Sequence, residues 1–499
     1  MSEAQDTGAD ASADESRRSV TAVLSRHWKL AVLAAAGFAT VAATTTFAAV
    51  SHRETAAGAR QATAPVDGKG LPAGGGDSGG KGGEGKGDHG KGGKGGHDKG
   101  GKGDGKKHGQ KYGHHGDADA THVECDPNDL IANLVDLNAE RGGELVLAKD
   151  CLYTLTANQD DNGLPEITQP ITIHGNGATI QRAANGDDFR IFEVGVGGDL
   201  KLSHLTITRG KLSSQGSEGG GIRVAAAGRL DLDHVTLDRN STNLENSDGG
   251  AIYNQGITTI RHSTLSKNTG EDGAAVYNEE GKLEITDSKI TGNISDPNDG
   301  YAALFNDGGT IKVKKSLLSY NYGNAGGALY NASGVSEVEK SAVVHNFAYG
   351  GGGIYTDDSL YVRDSTIAYN TASSGGGGGL GLNNAAVIDN TKIYGNVATD
   401  SDGGGVYVFT SDDNPVVFRN SKIHDNQAPG NGQSGGGIYI DNGTVNLTDT
   451  KVTGNISDEE AGGVHNEGTV TTNGKVRIID NVPTNCQATG TNPVPNCFG

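Results

Sequence analysis

Leu283-Glu284-Ile285-Thr286-Asp287-Ser288-Lys289-Ile290-Thr291-Gly292-Asn293 is the stretch whose reading decides the fold. Leu283 and Ile285 alternate with polar residues, and alternation of period two marks a strand with one face inside. A Ser/Thr, one more aliphatic residue and an Asn complete the block. The block recurs, ending at Asn240, Asn268, Asn293, Asn321, Asn346, Asn370, Asn396, Asn426, Asn455 and Asn481, in steps of 24 to 30 residues. An earlier, degenerate copy runs from Leu200 to Ile207 and ends at Gly210. A fixed motif at variable steps means fixed strands joined by loops of variable length.

A second block alternates with the first: Gly-Gly-small-aliphatic-aromatic-Asn. It stands as Gly249-Gly250-Ala251-Ile252-Tyr253-Asn254 and Gly326-Gly327-Ala328-Leu329-Tyr330-Asn331. Looser copies place Tyr277, Phe305, Tyr355, Tyr407 and Tyr439 at the aromatic position, and Gly381 and His465 interrupt that column. Each unit therefore holds three short strands, with no stretch periodic enough for a helix. A chain coiling in this way stacks like strands on like strands, in parallel, about 4.8 Å apart. No coil can bury its inner face alone, and stacking makes the core continuous. The reading is an all-β parallel β-helix solenoid of about eleven coils.

The Asn column has a structural reading. A tight turn between strands needs a residue with positive φ, which Asn tolerates best after Gly, and stacked amides can bond along the column. The glycine pairs admit a sharp turn close to the core.

The alternation of Gly-Gly-Ala-Ile at 249–252 with aliphatic-x-x-Asn resembles the repeats of chlamydial polymorphic outer-membrane proteins. More broadly, residues 165–482 resemble the pectate-lyase-like, right-handed β-helix superfamily. That resemblance implies a right-handed single-stranded rod. It is specific for fold and open about function, because the same rod carries adhesins, autotransporter passengers, polysaccharide lyases and glycoside hydrolases. After the repeats come only the residues 483–499, a short tail without a barrel pattern.

Both ends of a solenoid need covers. Residues 117–164 read as an N-terminal cap: Asp126-Pro127-Asn128-Asp129 before Leu130, Ile131, Leu134, Val135 and Leu137 is a capped amphipathic helix, stopped at Gly142 and Gly143. The four cysteines form two close pairs, Cys125 with Cys151 and Cys486 with Cys497, at the two ends. Neither pair has metal or redox spacing, and end-staples of this kind fit an oxidising, extracytoplasmic compartment.

The first 116 residues read as an export and spacer module. Residues 1–29 are a basic-flanked n-region, and residues 30–50 are an uncharged run long enough to span a bilayer as an anchor or to serve as a signal peptide. Residues 51–116 are a Gly/Lys/His-rich linker with almost nothing able to form a core. The expected location is extracytoplasmic, membrane-anchored or secreted.

The chain has 82 glycines, 11 prolines and a net charge of −20. Residues 61–116 balance at +4 and residues 117–499 at −24, a sign that repels nucleic acid and anionic membrane. Acidic loop residues Asp248, Asp272, Asp299, Asp400 and Asp402 fall between the Asn turns and the glycine pairs, so stacking should line them along one edge. Such an edge could bind calcium through oxygen ligands, or hold two carboxylates at glycosidase spacing. Against catalysis, the solenoid lacks tryptophan (Trp28 is the only one), the Gly-His-Gly of the superfamily's polygalacturonases is absent, and nothing singles out Arg363 or Arg419 as a lyase base. His204, His234 and His262 occupy one repeat position in three consecutive coils, a pattern suited to a zinc site or a pH-sensitive strip. No catalytic residue and no cofactor is assigned. The expected function is a monomeric, non-catalytic surface rod, adhesin-like and binding a polysaccharide or envelope polymer. The alternative is a polysaccharide lyase or glycoside hydrolase using the acidic edge.

Overall fold

The computed structural model describes residues 120–242, 247–296, 299–489 and 492–498. The n-region, export segment and linker lie outside the described residues. Among those described, no helix is long and apolar enough to cross a membrane.

The deciding stretch folds as one coil. Lys282–Thr286 forms a strand, the chain bends at Asp287, and Lys289–Thr291 forms a second. Gly292 turns the corner, the two-residue strand Ile294–Ser295 follows, and a loop leads to Leu304–Asp307. Every strand pairs in parallel with its equivalent one coil on, as Leu283 with Ile311 and Ile290 with Leu318. The first two ladders merge into a 25-stranded sheet through the ten-residue strands Asp199–Thr208 and Arg229–Asp238; the others form sheets of 12 and 8 strands. Inward residues such as Ile285, Ile290, Val313 and Ile367 are wholly buried in one core.

The solenoid has about thirteen turns rather than eleven. The ladder already starts at Thr121–Val123 and Gly143–Leu147, inside the stretch read as a cap. Those coils keep the inward alternation, as at Leu145, Leu147, Ile171 and Ile173, but lack the Asn and Gly-Gly blocks that announce a repeat. The helix Pro127–Ala139 is present, with Asp126 accepting from the Asn128 N–H at its start. Leu130 and Leu134 join the core, whereas Val135 is exposed. Both disulfides, Cys125–Cys151 and Cys486–Cys497, are closed, and Val494 in the tail packs into the end of the core.

The Asn column works differently from its sequence reading. The left-handed residue is the one before the Asn: Lys267, Tyr320, His345, Tyr369 and Asp480 have φ between 55° and 58°. The Asn itself points inward and is buried. Its Oδ1 accepts both the backbone N–H and the side-chain amide of the Asn one coil before, as Asn293 does for Asn268 at 3.1 and 2.9 Å. Its own Nδ2 also donates to a carbonyl of the preceding coil, as Asn321 does to Ile290 at 3.0 Å. Asn485, in the tail, supplies the last acceptor for Asn481. A corner that turns towards the core leaves a peptide N–H without a sheet partner, and the amide ladder satisfies it. In the Gly-Gly block the first glycine takes the left-handed turn, at φ 66° for Gly249. The second must have no side chain, because a Cβ on Gly250 would stand 2.3 Å from the carbonyl oxygen of Thr269.

Candidate functional site

Three columns on the outer surface carry chemistry, and each is fixed by the repeat register. The first is basic. The outward residue just before the last aliphatic residue of the motif is Lys392, Lys422, Lys451 and Arg477 in four consecutive coils, following a Ser or Thr in the first three and Val476 in the last. Strand pairing places them directly in register. Three are exposed and Lys451 half-exposed, and none forms an ion pair among the described residues. Like charges directly opposed across strands destabilise a sheet. At other strand positions the sign alternates between coils: Arg261 bonds Asp231 at 2.7 Å, Lys312 bonds Glu337 at 2.8 Å, and Lys314 bonds Glu339 at 3.2 Å.

Beside this column runs an aromatic ladder. Tyr320, His345, Tyr369, Tyr394 and His424 meet in sequence with ring centroids 5.0–5.2 Å apart, face to face except at Tyr369–Tyr394, which meet edge to face. The first three occupy the left-handed corner position, where the side chain is thrown outward. Tyr320 and Tyr369 remain 51% and 50% exposed. The ring of Tyr369 lies over Gly395, where a Cβ would meet it at 2.7 Å, so the ladder crosses there from the corner to the strand residue Tyr394. Lys392 and Lys422 share the strand face of Tyr394 and His424, two residues away. Phe347 stacks on Tyr322 at 5.3 Å nearby. Where the rings lie face to face, at Tyr320–His345–Tyr369 and at Tyr394–His424, the ladder turns its ring edges outward. Burial between the two tyrosines holds the His345 imidazole below its ordinary pKa.

The third column is the acidic edge with its tyrosines. Asp248 and Asp272 precede the glycine turns of neighbouring coils, where Gly249 N–H bonds the Asp272 carbonyl. Burial pushes the Asp248 carboxyl up to about 7, helped by the charge of Asp272. Burial likewise pushes Asp272 up to about 7, against an N–H donated by Tyr301 at 2.8 Å. Tyr301 occupies the next place in the column, and Ala325, Gly350 and Gly376 follow before Asp402 takes up the acidic edge again. Asp402 is raised by burial and opposed by the Ser434 N–H. Asp299 and Asp400 do not join this column; both are exposed in the loops before it. The adjacent phenols pair with carboxylates one coil on: Tyr253 with Glu279, Tyr277 with Asp307, Tyr330 with Asp357, and Tyr407 with Asp441. The two apparent breaks in the tyrosine column are filled. His465 stacks on Tyr439 at 4.8 Å, and the ring of Tyr355 covers Gly381. A shallow depression on another side, lined by Gln255, Glu280, Lys282 and turn glycines, presents a single carboxylate.

The basic column and the aromatic ladder escaped the reading of the sequence, though both left a trace. The residue before the last aliphatic position is basic in the last four blocks, and an aromatic residue or His stands one or two places before the Asn in five successive blocks. Each looked like an ordinary solvated position until the register stacked it.

A parallel solenoid with a buried Asn ladder and outward chemistry only at its corners and strand faces defines a class. The family model for the right handed beta helix region matches residues 221–428 and 301–482, together just over half the chain, and the chain belongs to that family. Among solved structures, it is similar to PfbA, a surface adhesin of Streptococcus pneumoniae, at 11% identity and a TM-score of 0.31, over 76% of this chain and 96% of that one. No curated protein matches.

Proposed function

We propose that this chain is a non-catalytic, extracytoplasmic rod that binds an acidic polysaccharide lengthwise along its basic column and aromatic ladder. The observation that carries this reading is the unpaired column of Lys392, Lys422, Lys451 and Arg477, in register on a protein whose solenoid region is otherwise strongly acidic. A strand ladder repeats every ~4.8 Å, close to the rise of an extended sugar chain with one carboxylate or sulfate per residue. Such a polymer meets one cation per coil and relieves their mutual repulsion. The tyrosine and histidine edges beside them offer hydrogen bonds and apolar contact in the mixture typical of binding surfaces. The two end-disulfides support an oxidising compartment.

The experiment is retention of the purified protein on immobilised pectate, alginate and glycosaminoglycan, with a neutral glucan alongside, over a salt gradient. Retention on acidic polymers that falls with salt, and that is lost in Lys422→Gln/Lys451→Gln, is the expected result. Equal retention of that variant, or equal retention on the neutral glucan, overturns the reading.

The second reading is a polysaccharide-cleaving enzyme, favoured by one observation. Asp248 and Asp272 lie in neighbouring coils with carboxyls raised to about 7, the range of a general acid. New reducing ends or unsaturated products from the same panel, abolished in Asp272→Asn, would establish it instead.

A further inference from the structure

His204, His234 and His262 stand at the bend between the first two ladders, all in the left-handed conformation, with φ 51°, 55° and 47°. Their rings stack at 4.9 and 4.8 Å. A single oxygen, Oδ1 of Asp233, lies 3.0 Å from Nδ1 of His234 and 2.8 Å from Nδ1 of His262. We propose that Asp233, His234 and His262, with His204 beside them, form a binding site for a divalent transition-metal ion of the zinc, nickel or copper class.

The bend itself does not call for histidine. The same position holds Asp287, Lys315, Lys340, Asp364, Asn390, Asn420 and Asp449 in later coils, all left-handed. What distinguishes the three early coils is the carboxylate shared between two rings. A carboxylate that accepts Nδ1–H fixes the tautomer and leaves the Nε2 lone pair free, the arrangement in which histidine ligates metals. Neither His234 nor His262 has a partner at Nε2 among the described residues. Asp233 is not drawn off by the neighbouring cation, because Arg261 binds both oxygens of Asp231, at 2.7 and 2.9 Å. The backbone of the bend is held by the Ser263 hydroxyl, which accepts the Val235 N–H at 3.0 Å, and by Ser288 in the next coil, which accepts the Ser263 N–H at 3.1 Å.

Metal–nitrogen bonds of ~2.0–2.1 Å require two ligand nitrogens within roughly 4.2 Å of each other. The rings of His234 and His262 are 4.8 Å apart and already tilted by 24°. Both side chains are about half exposed, so a small side-chain rotation closes the gap without moving the ladder. Imidazole selects borderline transition ions, whereas calcium and magnesium prefer all-oxygen sites, so this site is chemically distinct from the acidic edge.

The test is calorimetric titration of the full-length, chelator-stripped protein with zinc chloride, in parallel with His234→Asn, His262→Asn and Asp233→Asn. Asn occupies this bend at Asn390 and Asn420, so the His→Asn variants keep the turn. Their melting temperatures without metal check this. Histidines 89, 97, 108, 114 and 115 are present in every form and cancel in the comparison. The expected result is one zinc equivalent more in the parent than in either His→Asn variant, with affinity about 10–100-fold weaker in Asp233→Asn. Zinc should also raise the melting temperature of the parent and not that of His234→Asn. Identical stoichiometry and affinity in all four proteins overturns the proposal.

Discussion

The side-chain amide of Asn346 donates to Oδ1 of Asn370 at 2.9 Å, and the same oxygen accepts the backbone N–H of Asn346 at 3.0 Å. One acceptor thus satisfies two buried donors across coils, and every rung of the column repeats the arrangement.

Asn346→Ala removes the acceptor for the Asn321 N–H and Nδ2, and the donor to the Leu318 carbonyl. Each buried polar group left unpaired costs about 1–3 kcal/mol, so the expected loss is roughly 3 kcal/mol. Denaturant unfolding followed by circular dichroism measures it. A change under about 0.5 kcal/mol would mean that water enters the corner and replaces the rung.

Asp248 and Asp272 give the fold a pH dependence of unusual sign for carboxylates. Their folded pKa values are raised, from an ordinary 3.8 to about 7. Between those values the folded state binds more protons than the unfolded chain, so stability falls as pH rises from about 4 to about 7. Asp248→Asn/Asp272→Asn should flatten that part of a melting-temperature–pH curve and make the protein at pH 8 at least as stable as its parent. A curve with the parent's slope would show that these carboxyls are better solvated than their surroundings indicate.

Gly250→Ala and Gly216→Ala separate close approach from backbone strain. A Cβ at Gly250 meets two backbone carbonyls, of Thr269 at 2.3 Å and Ala274 at 2.5 Å, and neither can swing away. The coil must part, so the loss should exceed that of any surface glycine. Gly216 has φ 76° and nothing within 4 Å of a new Cβ, so only the left-handed conformation is penalised, about 1–2 kcal/mol. Thermal melts of the pair should rank them in that order.

Tyr369→Ala should separate binding from stability. The ring is half exposed and packs against its ladder neighbours and Gly395. An expected stability change within about 1 kcal/mol should accompany weaker retention on acidic polysaccharide. Unchanged retention would leave the basic column to act without the ladder.

The two repeat blocks contained the inward residues and the stacking direction, but they put three strands in each coil where the structure has four, because the two-residue strand after the Asn, Ile294–Ser295 in the deciding coil, is too short to show alternation. The inward residues and the direction follow from period-two alternation, which is local and survives without any knowledge of neighbours. The strands before residue 165, Thr121–Val123, Gly143–Leu147 and Leu152–Leu155, were not legible as part of the solenoid, because they carry the alternation without the punctuating Asn and Gly pairs. The φ of the Asn turns was misplaced by one residue: sequence identifies a left-handed corner, but not which of two adjacent residues faces in. Among the acidic residues, Asp248, Asp272 and Asp402 share a column while Asp299 and Asp400 do not, since loop length, not motif, decides which carboxylate reaches the turn. Sequence alone therefore determined the solenoid, because backbone pairing repeats wherever the pattern repeats. Only the tertiary structure decided the surface. A basic column, an aromatic ladder and a carboxylate shared by two histidines exist when residues some 25–30 positions apart come into register at ~4.8 Å, and nothing within one coil encodes its neighbour.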